Sequence, residues 1–343
     1  MAHSKTDRPD KPDLYICHTA YQVLIALVRA LRAGGGQSIW LADSIPGAAD
    51  DGPTGLPRRL GGAFREIALL KEDLWPGTVT GPLAHWRNRR AFEQRGCCVP
   101  LRRRAYRNIY ISNDWGAAGR YLQDCRAPYI LCEDTVGGTL DPDQHLLDAQ
   151  RAAPGFAAKQ ASGLGYLYWG DSRFCRKVES EDAAACTLFA PEKLRTFSKR
   201  ELLASLTAEE KAAVRRVFLT QSLPEDAAEL GKATLLLPRS FVQDGLLDQQ
   251  AQNAMFRAVA AQYTDGPLFI KTHPRDETDY QALFPQATVL DRKMPSEVLN
   301  FCLPGRFRRA VTVQSWVLRG FTAAEENVFW SLEDAEKLGK VSP

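Results

Sequence analysis

Three short stretches gather the residue types that acid–base and anion-binding chemistry requires. In Tyr129-Ile-Leu-Cys-Glu-Asp-Thr-Val-Gly-Gly138 two carboxylates, Glu133 and Asp134, leave an apolar run and enter a glycine-containing loop. Neighbouring carboxyl groups with little access to water compete for ionisation, which is one way a carboxylate becomes a general base near neutral pH. A helix-capping Asp beside a solvated Glu is the structural alternative. In Ile270-Lys-Thr-His-Pro-Arg-Asp276 a basic residue, a hydroxyl, a histidine, a proline and a second basic residue follow an apolar run. Lys271, His273 and Pro274 there suit a phosphate dianion, although a histidine that merely starts a turn gives the same pattern. In Ala310-Val-Thr-Val-Gln-Ser315, Thr312, Gln314 and Ser315 stand ahead of an expected helix, where hydroxyls and backbone N–H groups can hold an anion.

The elements that must position these groups follow an α/β pattern. Leu14-Tyr-Ile-Cys17 is a short β-type run, and Tyr21 to Leu31 has helical apolar spacing closed by Gly34-Gly-Gly36. Ser38–Leu41, Arg107–Ser112 and Tyr129–Cys132 are expected as further strands. Residues 181 to 231 are rich in Ala, Glu, Lys and Leu, and Thr207-Ala-Glu-Glu210 has the spacing of a capping box, so connecting helices are expected there. The alternation then restarts with Ala233–Leu237, a helix from about Asp248 to Tyr263, Leu268–Lys271, Ala287–Leu290, Arg309–Val313 and a terminal helix Leu332–Leu338. Strands alternating with helices imply parallel sheets whose functional groups lie past the carboxyl ends of the strands. Two such alternations predict the GT-B architecture: two Rossmann-like domains facing across a cleft.

The composition fits that class. The chain has 343 residues, 45% hydrophobic and 25% charged, and no apolar run long enough to span a bilayer. Met1 to Pro12 is polar and proline-containing, read as a tail rather than a secretory signal. The eight cysteines form no C-x-x-C pair and no zinc spacing, which suits a reducing, cytoplasmic compartment and predicts no metal site. The net charge is only +3, which gives no ground for a nucleic-acid partner, but residues 85 to 107 hold eight arginines (87, 89, 90, 95, 102, 103, 104 and 107) against Glu93. That band could face an anionic partner or form a solvated surface.

The order and spacing of these elements resemble the bacterial sialyltransferases, in particular glycosyltransferase family 52 and the related polysialyltransferases. Those enzymes share a (D/E)(D/E)G motif, a His-Pro motif and a later Ser-Ser or Ser-Thr pair; the matches are Glu133-Asp134, His273-Pro274 and Gln314-Ser315. Ile16-Cys-His-Thr-Ala-Tyr-Gln-Val-Leu-Ile25 looks like the family's first strand and loop, and Met294-Pro-Ser-Glu297 like its donor-base region. Two departures are Thr135 in the place of glycine and a hydroxyl pair reduced to Ser315.

The resemblance implies an inverting, metal-independent transferase with no cofactor beyond its CMP-activated acidic sugar donor, and an oligosaccharide or glycolipid acceptor. Residues 14–220 would form the acceptor-side domain and 221–343 the CMP-sugar domain, after a tail at 1–13. Asp134 would be the base, with Glu133 as fallback, while His273, Lys271 and Ser315 bind the leaving phosphate. His18, Thr19 and Gln22 are candidates for the carboxylate of the donor, or else only cap and pack the first helix. Ser296 and Glu297 would meet cytidine or ribose. A peripheral position at the inner membrane and a homodimer are further expectations. Two alternatives stay open: a transferase for CMP-Kdo or another nucleotide sugar, and a glycan-assembly protein without catalysis.

Overall fold

A computed structural model describes residues 11–71, 82–95, 101, 106–134, 144–161, 169–186 and 189–341. The chain divides into two compact units, Met1–Leu206 and Thr207–Pro343. In the first, β1 (Leu14–Cys17), β2 (Gln37–Ala42), β3 (Phe64–Leu70), β4 (Ile109–Ile111), β5 (Tyr129–Cys132), β6 (Cys175–Ser180) and β7 (Leu194–Thr196) form one sheet in the order β3-β2-β1-β4-β5-β6-β7. Every pairing is parallel. A central parallel strand is covered on both faces, which is why Leu14-Tyr-Ile-Cys17 is buried throughout. The strand order reverses between β1 and β4, so the chains leaving those two strands diverge and open a crevice at their carboxyl ends.

The first helix, Ala20–Arg32, starts at that crevice. Thr19 caps it by accepting the Gln22 N–H at 3.2 Å, and Val23, Leu24, Leu27 and Val28 are buried against the sheet. A second helix, Ala117–Asp124, follows β4 closely enough that a Cβ on Gly119 would lie 2.3 Å from the Asp114 backbone.

In the second unit β8 (Thr234–Leu237), β9 (Leu268–Lys271), β10 (Thr288–Leu290), β11 (Phe307–Val313) and β12 (Ala324–Trp330) form an all-parallel sheet in the order β10-β9-β8-β11-β12. Its reversal lies between β8 and β11. The Thr207–Glu210 capping box forms in both directions, with Glu210 N–H donating to the Thr207 hydroxyl at 3.2 Å and Thr207 N–H to the Glu210 carboxylate at 2.8 Å. The connecting helices Lys199–Ala204, Ala208–Phe218 and Ala227–Leu230 are present, and the terminal helix is Leu332–Val341.

One expectation fails. No helix long enough to offer an N-terminal anion site follows β11: Ser315 Oγ accepts the Val317 N–H at 3.3 Å, one 3-10 turn spans Trp316–Leu318, and the chain enters β12. Thr312 is also removed from the candidate site, because its buried hydroxyl donates to the Leu237 carbonyl at 2.7 Å and joins β11 to β8.

Replacing Gly119 by Ala should force the helix away from the β4 turn and cost about 1–3 kcal/mol, as overpacking does. Urea unfolding of the full chain measures it; an unchanged midpoint would show that the helix shifts freely.

Candidate functional site

The acidic pair splits by strand alternation, since successive residues leaving β5 point to opposite faces. Glu133 points inward and is 1% exposed. Its Oε2 accepts from the Ser180 hydroxyl at 2.8 Å and the Glu181 N–H at 2.8 Å, while its own N–H donates to the Glu179 carbonyl at 2.8 Å. These bonds tie β5 to β6. Glu133 is therefore taken up by the fold and is not placed to relieve a substrate of a proton.

Asp134, one residue on, is half-buried and faces the first helix. Gln22 Nε2 donates to its Oδ1 at 2.7 Å, and Gln22 Oε1 accepts the His18 N–H at 2.7 Å. One amide thus joins the loop after β1 to the loop after β5. Oδ2 carries no hydrogen bond among the described residues. His18, Thr19 and Gln22 are brought to this strand tip together, with Thr19 serving as helix cap.

Sequence reasoning missed Lys199. Glu181 holds the start of its helix by accepting the Ser198 hydroxyl at 2.6 Å and the Lys199 N–H at 2.9 Å. The ammonium donates to the Asp134 carbonyl at 3.2 Å and lies 5.6 Å from the centre of the Tyr21 ring. Burial holds it below its usual range, against the pull of Cys132 and Asp134. Glu133, Glu181 and Lys199 are thus one chain of contacts running back to Asp134.

In the second unit the tips of β8, β9 and β11 carry the polar groups. His273 Nδ1 accepts the Arg275 N–H at 3.2 Å, which leaves Nε2 as the protonated, donating nitrogen. Burial, then the positive charges of Arg275 and Lys271, push its pKa down to about 4, so the ring is neutral at physiological pH. Pro274 continues the turn, in which the Asp276 N–H returns to the His273 carbonyl at 3.0 Å.

Lys271 is buried, donates to the Thr272 carbonyl at 2.8 Å, and is pushed down to about 8 by burial. Its charge acts on the loop from within, and its ammonium, expected to lend hydrogen bonds and charge to a phosphate, is turned to the Thr272 carbonyl. Ser296 bonds its neighbour Glu297 at 3.3 Å at the start of a short 3-10 turn. Gln314 adopts a left-handed conformation, φ 43°, and its carbonyl accepts from Arg239 Nη1 at 3.0 Å. Arg239 and Arg275 both grip Asp244, at 2.9 and 3.0 Å. Arg239 and Asp244 escaped the sequence reading because no motif frames them; their position after β8, the first strand of the repeat, was the available signal.

The arginine band lies partly outside the described residues, which exclude Arg102, Arg103 and Arg104. Arg107 does not belong to it: its guanidinium forks onto the buried Asp13 at 3.0 and 2.8 Å. Arg87 and Arg90 are exposed on the helix Pro82–Arg95.

Residues 192–318 match the family model described as Glycosyltransferase family 52, a span that includes His273-Pro274, Ser296-Glu297 and Gln314-Ser315. An uncharacterized protein of Haemophilus influenzae is 33% identical over 86 residues, 25% of this chain and 28% of that protein, so the chain spans little more than a quarter of this relative's length. The fold is similar to that of an α/β-galactoside α-2,3-sialyltransferase from the luminous marine bacterium Photobacterium phosphoreum, with TM-score 0.55 and 12% identity over 97% of this chain and 95% of that one. The GT-B domain of a Photobacterium damselae sialyltransferase aligns with TM-score 0.47 and 12% identity over 92% and 89%. The GT-B fold class expected from the sequence is thereby met, and the resemblance to glycosyltransferase family 52 is carried by the match over residues 192–318.

His273 gives a direct test of the phosphate role. In the ligand-free protein its ring should titrate near 4, and a phosphate held beside it, offered as CMP, should raise that value by roughly one unit or more, because a phosphate stabilises the imidazolium. Histidine NMR, assigned with His273→Ala, reads the shift; a titration unmoved by saturating CMP would remove His273 from the phosphate site.

Proposed function

We propose that the chain is an inverting glycosyltransferase that moves an acidic sugar of the sialic acid class from CMP to a hydroxyl of an oligosaccharide or glycolipid. The observation that carries this reading is Asp134: one carboxylate oxygen is fixed by Gln22 at 2.7 Å and the other carries no bond among the described residues. Asp134 takes the proton from the acceptor hydroxyl as its oxygen attacks the anomeric carbon. The carbon–oxygen bond to phosphate breaks, and the electron pair leaves with CMP. A single displacement through an oxocarbenium-like transition state inverts the centre. His273 donates through Nε2–H to the departing phosphate, and Arg239 and Arg275 supply positive charge beside it. Ser315, Ser296 and Glu297 remain candidates for phosphate and nucleoside contacts.

Asp134→Asn keeps the size and the Gln22 contact but removes the base, so transfer should fall by roughly 10²-fold or more with CMP affinity little changed. His273→Ala should lower turnover and weaken CMP binding by about 1–3 kcal/mol. Transfer rates and CMP titrations on both variants check this, with CMP-sialic acid and CMP-Kdo as donors. Full activity in Asp134→Asn removes the assignment of the base. A wild-type protein that binds CMP but turns over neither donor favours the alternative of an assembly protein.

A peripheral membrane position is part of the same proposal. Among the described residues no helix is long and apolar enough to cross a membrane. Leu83, Trp86, Arg87 and Arg90 have the spacing of one helix face, with Leu83 62% and Trp86 44% exposed. Apolar residues flanked by arginines suit an anionic lipid surface. Co-sedimentation with phosphatidylserine vesicles should be strong at low salt and should weaken on adding salt or on Trp86→Ala with Arg90→Ala; no binding at low salt would exclude it.

A further inference from the structure

A pocket of about 410 Å³, open mouth included, lies between the first helix and the tips of β1, β4 and β5. Tyr15, Tyr110 and Ile25 form much of its apolar wall, and Tyr21, Gln22 and Lys199 line it as well. Tyr15 and Tyr110, paired across β1 and β4, stack with centroids 5.1 Å apart. Two cations reach this pocket, and their situations differ. Arg29 is committed: it is ion-paired to the buried Glu179 and its guanidinium lies 3.6 Å from the Phe197 ring centre and 4.8 Å from that of Tyr110. Lys199 has a backbone carbonyl and a ring face as partners, and no carboxylate within ion-pair distance among the described residues. It is a largely desolvated cation on a pocket wall, with Asp134, Glu133 and Glu181 near enough to act on its charge but none paired with it directly.

The chemistry of the proposed donor says what would match it. In a 2-keto acid sugar the carboxylate is bonded directly to the anomeric carbon, the atom that the acceptor oxygen attacks. The base lies within hydrogen-bond reach of that oxygen, about 3 Å, and the oxygen approaches the carbon to about 3 Å before reaction. A cation that holds the carboxylate must therefore stand within one small group of the base. Lys199 does, since its ammonium bonds the carbonyl of Asp134 itself. It would also lie between two negative charges, base and substrate, that otherwise repel each other in a site of low dielectric.

We propose that Lys199 binds the carboxylate of the donor sugar and so selects acidic over neutral sugars, an inference that rests on the acidic-sugar transferase reading above. Ammonium and carboxylate then form a charge-assisted hydrogen bond, and the tyrosine wall receives the part of the sugar beside it.

The test compares wild type, Lys199→Met and Lys199→Arg of the full chain, with CMP-sialic acid as donor and CMP as a nucleotide probe that lacks the carboxylate. Lys199→Met should raise the donor KM at least tenfold while CMP affinity and acceptor KM stay within twofold, and Lys199→Arg should recover part of the loss. Retained CMP affinity together with an unchanged near-UV circular dichroism spectrum shows that the variant is folded. An active wild type with an indifferent Lys199→Met, or one in which the acceptor KM rises instead, overturns the Lys199 assignment and leaves the transferase reading standing. A wild type that transfers neutral sugars but no acidic sugar overturns both.

Discussion

A carboxylate sealed inside a protein has to have its hydrogen bonds met, and at Glu133 that requirement organises the carboxyl end of the first unit's sheet. The group is withdrawn from water, and unmet polarity there would cost several kcal/mol. Its bonds are supplied by the Ser180 hydroxyl and the Glu181 N–H, both just past β6. Satisfying Glu133 therefore fixes where the Glu181 side chain begins. Glu181 in turn fixes the start of the helix that carries Lys199, and Lys199 returns to the backbone of Asp134. The half-buried acid owes its place to the fully buried one.

The second unit meets a different constraint, that of gathering basic groups at neighbouring strand tips without their charges opposing one another. Two arginines at neighbouring strand tips would repel each other, and Asp244 lies between them. Lys271 is withdrawn into the protein, and His273 is held neutral by burial and by the positive charge around it. Positive potential thus reaches the loop while the group at its tip, His273, is a neutral donor. Such preorganised dipoles and charges cost little to rearrange when a ligand's charge arrives.

Central strands were legible because burial on both faces demands unbroken apolar runs: Leu14–Cys17, Tyr129–Cys132 and Leu268–Lys271 are strands as the sequence predicts. Of the four edge strands only the short β10 was read from the sequence; β3, β7 and β12 were not, nor was β6 next to an edge, because Phe64–Leu70, Cys175–Ser180 and Ala324–Trp330 mix charged with apolar residues, which hides the pattern. The capping box was legible because it is complete within four residues. Asp134 and His273 could be singled out for the same reason, each following a short apolar run. Gln22 was noticed for a donor contact, but its bond to Asp134 spans 112 positions and no local signal announces it. Lys199 and Arg239 are ordinary basic residues in sequence; only the fold gives them partners 65 and 75 positions away.

The two adjacent acids leave β5 on opposite sides, and Cys132 shares with Asp134 the side of the first helix, where it lines the pocket. Identity at this site is therefore a matter of parity. A strand repeats every two residues, so a slip of β5 by one position would carry Glu133 out to the pocket and Asp134 into the sheet. The composition of the segment would be unaltered, yet the longer acid would stand where the shorter one is gripped by Gln22, and the shorter would fall short of Ser180 and Glu181. What the neighbouring strands β4 and β6 defend by pairing with β5 is thus which of two nearly identical side chains is sealed into the sheet and which is turned to the first helix.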